Sequence, residues 1–186
     1  MNTIDNDSII AATRDWVERA VIGLNLCPFA KAVQVKDQIR YVVSAARDAD
    51  TLLQDLSNEL RHLAATSASE TDTTLLIHPW ALNDFLDYNE FLEIADAAIE
   101  ALDLTGELQV ASFHPDYQFA DSAPDDIENC TNRSPYPTLH LLREESIDRA
   151  VAAFPDAADI YAANIRTLRT LGWAGWNALN LQAPET

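Results

Sequence analysis

Three short runs rich in β-branched and aromatic residues alternate with two longer stretches patterned as helices. The runs are QIRYVVSA (38–45), DTTLLIHP (72–79) and ELQVASFHP (107–115). Between the first two, DADTLLQDLSNELRHLAA carries Leu52, Leu53, Leu56, Leu60 and Leu63 on one stripe, the mark of a helix that buries one side. Between the second and third, residues 83–102 put Phe85, Leu86, Leu92, Ala95, Ile99 and Leu102 inside and Asp87, Glu90, Asp96 and Glu100 outside. Strands linked by single helices must cross over the sheet, so the pattern predicts parallel strands covered by helices.

The flanking segments add to this unit. Asp7 or Ser8 is placed to cap a first helix, with Ile9, Ile10, Trp16, Val17, Ala20, Val21 and Leu24 on its apolar face, ending before Pro28. Residues 116–136 are polar and without period, a long loop with one helical turn near Asp125–Glu128. PTLHLLRE (137–144) reads as a fourth strand, antiparallel to the third because no crossover helix precedes it. A short helix to Phe154 follows, then a last helix from Pro155-Asp156, closed by Gly172. Trp173 and Trp176 then stand where they can cover a core edge. The expected fold is one domain over residues 1–186 of α/β (or α+β) class. It has a three- to four-stranded, mostly parallel sheet and extra N- and C-terminal helices.

Twelve Lys and Arg against thirty Asp and Glu give a net charge of −18. Such a field repels phosphate backbones and anionic lipid, so nucleic acid and membranes are poor partners. No apolar run reaches the roughly 18 residues that span a bilayer. The start MNTIDNDSII lacks the pattern of a signal peptide. A cytoplasmic address is therefore expected, with Cys27 and Cys130 reduced.

Two apolar runs end in His-Pro, at His78-Pro79 and His114-Pro115. Parallel strands in one sheet bring both ends to the carboxyl edge, the usual ligand crevice of open α/β sheets. An antiparallel fourth strand then brings His140 toward His114. The expectation is an acid–base group at His114, with His78 and His140 assisting or joining it around a transition metal. The plainer reading is that His-Pro punctuates a strand end, because Pro has no N–H for the ladder.

Cys27, in LNLCPFA, is a candidate nucleophile or further metal ligand if a following turn presents its N-terminus to the sulfur. In an apolar setting it is instead a buried free cysteine. In NCTNRSPYP (129–137), Arg133 is one of only ten arginines. It is suited to clamping a carboxylate or phosphate, or to pairing with Asp125, Asp126 or Glu128. Asn132, Tyr117 and Tyr136 complete the candidate binding set. The sequence has no Gly-rich phosphate loop, CxxC, HExxH or GxSxG.

The segments LNLCPFAKAV, FHPDYQF, NCTNRSPYPTLHLLRE and TLRTLGW, taken together, resemble a bacterial family described as a domain of unknown function, number fourteen-fifteen in that series. The resemblance covers nearly the whole chain and includes Cys27, His114, Tyr117, Asn132, Arg133, Tyr136 and His140. It implies no activity. The residues themselves suggest an enzyme acting on a small molecule through a His/Cys/Arg site. The alternatives are an accessory protein that only holds a ligand or metal, and an interaction protein using Trp173 and Trp176.

Overall fold

The computed structural model describes residues 5–153, 159–181 and 183. Helix α1 (Asn6–Trp16) passes into a π-helical segment (Val17–Ile22). Then follow α2 (Ala30–Val35), β1 (Ile39–Val43), α3 (Ala49–Ala65), β2 (Thr73–Ile77) and α4 (Phe85–Ala101). The second half contains β3 (Leu108–Phe113), a 3-10 turn (Ile127–Asn132), β4 (Thr138–Arg143), α5 (Glu144–Ala153) and α6 (Ile160–Ala178). The helix end expected at Phe154 and the helix start at Pro155-Asp156 lie outside the described residues.

Acidic caps start three helices. Asp5, Asp48 and Asp84 accept from the backbone N–H groups of Ser8, Thr51 and Leu86 at 2.7, 2.8 and 2.9 Å. Each meets a donor the helix itself cannot satisfy. The first cap is Asp5, not Asp7 or Ser8. Gly172 does interrupt α6, at φ 66 and ψ 172, and a second short helical piece carries Trp173 and Trp176 beyond it.

The sheet order is β1-β2-β4-β3. Strands β1 and β2 are parallel, while β4 runs antiparallel to both β2 and β3. The expectation of a mostly parallel sheet is corrected here: β2 and β3 point the same way, but β4 lies between them. Apolar character explains the insertion. Every residue of β2 is buried, and β4 contributes fully buried Leu139 and Leu141. Strands β1 and β3 carry Arg40, Gln109 and Ser112 and tolerate an edge. The loop from 114 to 137 is long enough to return β4 into the centre.

One face of the sheet is closed. Leu52, Leu56, Leu60 and Leu63 of α3 and Tyr88, Phe91 and Ala95 of α4 pack on Leu76, Leu139 and Leu141. Burying each leucine stabilises the fold by roughly 1.5–3 kcal/mol. Leu86, expected inside, is 70% exposed. The other face carries three smaller clusters. They centre on Trp16 with Leu75, on Ile9 with Ile77 and Tyr136, and on Leu26 with Cys130 and Leu168. The gaps between them are clefts.

The π-helical segment shapes this second face. Gly23 donates to Glu18 O and Leu26 to Val21 O, both spanning five residues. A Cβ on Gly23 would lie 2.2 Å from the carbonyl oxygen of Arg19, a backbone atom that cannot swing aside. Gly23→Ala is expected to destabilise the protein by about 1–3 kcal/mol, the range for overpacking. Thermal unfolding checks this; an unchanged midpoint would mean that the segment relaxes freely to an α-helix.

Candidate functional site

The two His-Pro ends do meet. Residue alternation puts His78 and His114 on the closed face, and their rings flank that of Tyr88 at centroid distances of 5.7 and 5.0 Å. Both are fully buried. The two ring nitrogens of His114 are committed to backbone. Nδ1 accepts from Asp116 N at 3.0 Å, so Nε2 carries the proton it donates to Leu82 O at 3.1 Å. His78 Nδ1 donates to Ala81 O at 2.9 Å, and its Nε2 has no partner. Burial holds the pKa of His114 below the ordinary value and that of His78 at about 4. His114 thus ties the end of β3 to the loop before α4.

His140 is elsewhere. It stands opposite Leu75 and Ala111 in the register, which puts it on the same face as Phe113. His114, the next residue after Phe113, faces the other way. The expected shared site of His78, His114 and His140 is therefore not formed. The sheet separates His140 from the other two, and His114 has no free lone pair for a metal. Among the described residues no group of three or more His, Cys, Asp or Glu is placed to hold a metal ion.

His140 instead lines a cleft of about 320 Å³ on the second face, together with Cys27, Trp16, Val21, Phe29 and Phe113. Asp72, Thr73, Gln109, Leu142 and Ser146 extend it toward the edge where β1, β2 and β3 begin. It is not at the carboxyl edge. Thr73 Oγ1 donates to Leu141 O at 2.6 Å, which uses its only proton. The 2.7 Å contact to His140 must then be a bond from His140 Nε2–H to Thr73 Oγ1. That fixes the tautomer and leaves Nδ1 as an acceptor with no partner among the described residues. Burial lowers the His140 pKa to about 4, so the ring is neutral near pH 7.

Cys27 rests as a thiol. Burial raises its pKa, while the N–H groups of Phe29 and Ala30 pull more weakly the other way. The turn after Cys27 does present its donors to the sulfur, but desolvation outweighs them. Alkylation of Cys27 by iodoacetamide at pH 7 is expected to be at least about tenfold slower than for an ordinary exposed thiol. Peptide mass mapping over time measures this, and a rate at or above that of free cysteine refutes the neutral-thiol description. Cys130 is fully buried, its thiol pushed up to about 11 by burial.

A second cleft, about 290 Å³, opens at the carboxyl edge. Arg133 lines it with Trp16, Pro115, Pro135, Trp173 and Trp176. Arg133 donates from Nε to Tyr117 O at 3.1 Å and from Nη2 to Pro124 O at 2.7 Å. It does not pair with Asp125, Asp126 or Glu128; Glu128 is bound by Arg169 at 2.7 Å. Trp16 is a wall of both clefts.

The other expected binding residues line neither cleft. Asn132 donates to Ser112 O at 3.0 Å and its carbonyl accepts from His114 N. Tyr117 packs between Phe85 and Phe119. Tyr136 is buried beside Ile9 and Ile77. Sequence reasoning passed over Trp16 and Thr73 as a helix-face and a strand residue. Only the register of β2 against β4 reveals that Thr73 orients His140. Asn129, fully buried, accepts from Phe119 N and Ser122 Oγ and donates to Ala123 O. It organises the loop that carries Arg133.

Fold and clefts define a small α/β domain with a mixed four-stranded sheet, closed on one face and indented on the other by ligand-sized cavities. Residues 8–178 match the family described as protein of unknown function (DUF1415), and the chain belongs to that family. No curated protein and no solved structure matches it. Among the described residues no helix is long and apolar enough to cross a membrane.

Proposed function

We propose that the protein binds a small, mainly apolar molecule in the Cys27–His140 cleft, with a donor group of that molecule on His140 Nδ1. The observation that carries this reading is the Thr73 relay, which leaves one oriented acceptor in an otherwise mostly apolar wall. His140 is partly buried and its Nδ1 lone pair is open to the cleft, so a ligand O–H or N–H can bond to it there in place of water. The test uses ligand-observed NMR with paired probes, alkylphenols against the matching alkylbenzenes. The phenols are expected to bind about 2- to 10-fold tighter, the worth of one neutral hydrogen bond. His140→Leu is expected to abolish the difference. Equal affinities for both series in the native protein would sink the reading.

The catalytic form of the same reading makes the protein a small-molecule enzyme. Its support is that a thiol and an imidazole with a free lone pair line one cleft, the residue types of a nucleophile and its base. Cys27 would attack once its proton passed to a base. Against it stands the resting neutrality of both groups. Turnover that disappears in Cys27→Ser supports the enzyme; binding without turnover leaves a holder of ligand. A metal cofactor has no support from the three histidines.

A further inference from the structure

We infer that the carboxyl-edge cleft is a separate binding site for the carboxylate of a small planar acid, held by Arg133 and walled by indole and proline rings. The first ground is charge. The chain has thirty acidic residues against twelve basic ones. Yet no ion pair among the described residues involves Arg133. Its partners are the two backbone carbonyls and the neutral Cys130 thiol, and among the described residues no oxygen accepts from Nη1. Those bonds aim the guanidinium without neutralising it. A cation so held is prepared for an anion.

The second ground is independent of Arg133. Trp16 is 2% exposed and lines this cleft, and its Nε1–H has no acceptor. An indole N–H can only donate. Arg133 and Trp16, two residues that line this cleft from elements far apart in sequence, therefore each carry an N–H that lacks an oxygen acceptor among the described residues.

The third ground is shape. The left-handed turn at Gly172 redirects the chain and sets Trp173, Trp176 and Asn177 over the cleft. Trp173 remains 40% exposed, among the large hydrophobics least covered by the fold. Pro115 and Pro135 form other parts of the wall. Flat rings on the walls suit a flat ligand body. One cation favours a monoanion over a dianionic phosphate, whose second charge would meet only neutral walls in a chain of net charge −18. The opposing field from distant carboxylates is screened beyond about 10 Å at 0.1 M salt, so the local guanidinium dominates.

The experiment titrates the intact protein with benzoate, phenylacetate and indole-3-acetate, with their neutral amides, and with inorganic phosphate. Binding is followed by tryptophan fluorescence and by the Arg133 side-chain N–H resonance. The acids are expected to saturate and to shift that resonance. The amides and phosphate should bind at least tenfold more weakly. Arg133→Lys and Trp173→Ala should each weaken the acids tenfold or more. Because Arg133 also supports its loop, far-ultraviolet circular dichroism accompanies that variant. If it is misfolded, the native acid-against-amide comparison and exposed Trp173→Ala decide alone. Equal binding of acids and amides overturns the proposal, as does phosphate binding as tightly as the acids. Failure of the alkylphenol test leaves this site untouched, because the two clefts are probed by different ligands.

Discussion

Acidification from pH 6.5 to 4 is expected to remove several kcal/mol of folding stability. His78 and His140 are both held near pKa 4 by burial, against 6.5 for the ordinary ring. In that window the unfolded chain binds protons that the folded chain refuses. Stability therefore rises with pH between these values, is fully present above about 6.5 and is lost as pH falls toward 4. Each ring contributes on the order of 3 kcal/mol. The reason differs between the two. His78 has no exit to solvent and its Nε2 has no acceptor to receive a new proton. His140 would bring a charge into an apolar cleft. Relief of repulsion among the many carboxylates works in the opposite direction, and moderate salt reduces it. Urea unfolding at a series of pH values measures the slope. His78→Asn and His140→Asn should each flatten it, whatever they do to stability at pH 7. A native slope near zero across the window would show that these rings are not held neutral.

Tyr88→Phe is expected to cost about 2–5 kcal/mol, although it removes one oxygen. That hydroxyl donates to Thr138 O at 2.8 Å and accepts from Phe113 N at 3.0 Å. Thr138 and Phe113 are register partners where β4 meets β3. The oxygen is thus inserted into the end of the ladder, on a fully buried side chain. Its loss orphans one donor and one acceptor, each at roughly 1–3 kcal/mol when water cannot reach them. Chemical denaturation of both proteins supplies the difference. A loss below about 0.5 kcal/mol would mean that Phe113 and Thr138 re-pair directly. The ring of Phe should keep the contacts with His78 and His114, so the spectra of those histidines should change little.

How much of this was legible beforehand depends on range. The helices α3 and α4 follow from local periodicity, because a leucine stripe can be buried in only one way. Strand ends at His78-Pro79 and His114-Pro115 are likewise local, set by the missing proline N–H. Their common edge follows from the crossover rule, and the structure has it; their common face is set by the strand registers. The first helix is capped two or three residues before the caps its sequence suggests, because Asp5, Asp7 and Ser8 compete for one position. Leu86 was misassigned because period alone does not say where the apolar stripe ends.

Strand order was not legible. Placing β4 between β2 and β3 depends on which strands gain most from double-sided burial, a comparison among distant segments. Once β4 is there, its register decides the rest. The side-chain period of two sends His140 away from His114 and dissolves the three-histidine centre. The same register sets Thr73 against His140 and so chooses the tautomer. By itself, then, the sequence determined the helices, the strand ends and the convergence of His78 and His114. Only the tertiary structure decided that Cys27 and His140 share a cleft, and that Arg133 and Trp16 share another. Those pairings join residues more than a hundred positions apart, and no local spacing encodes the packing that brings them together.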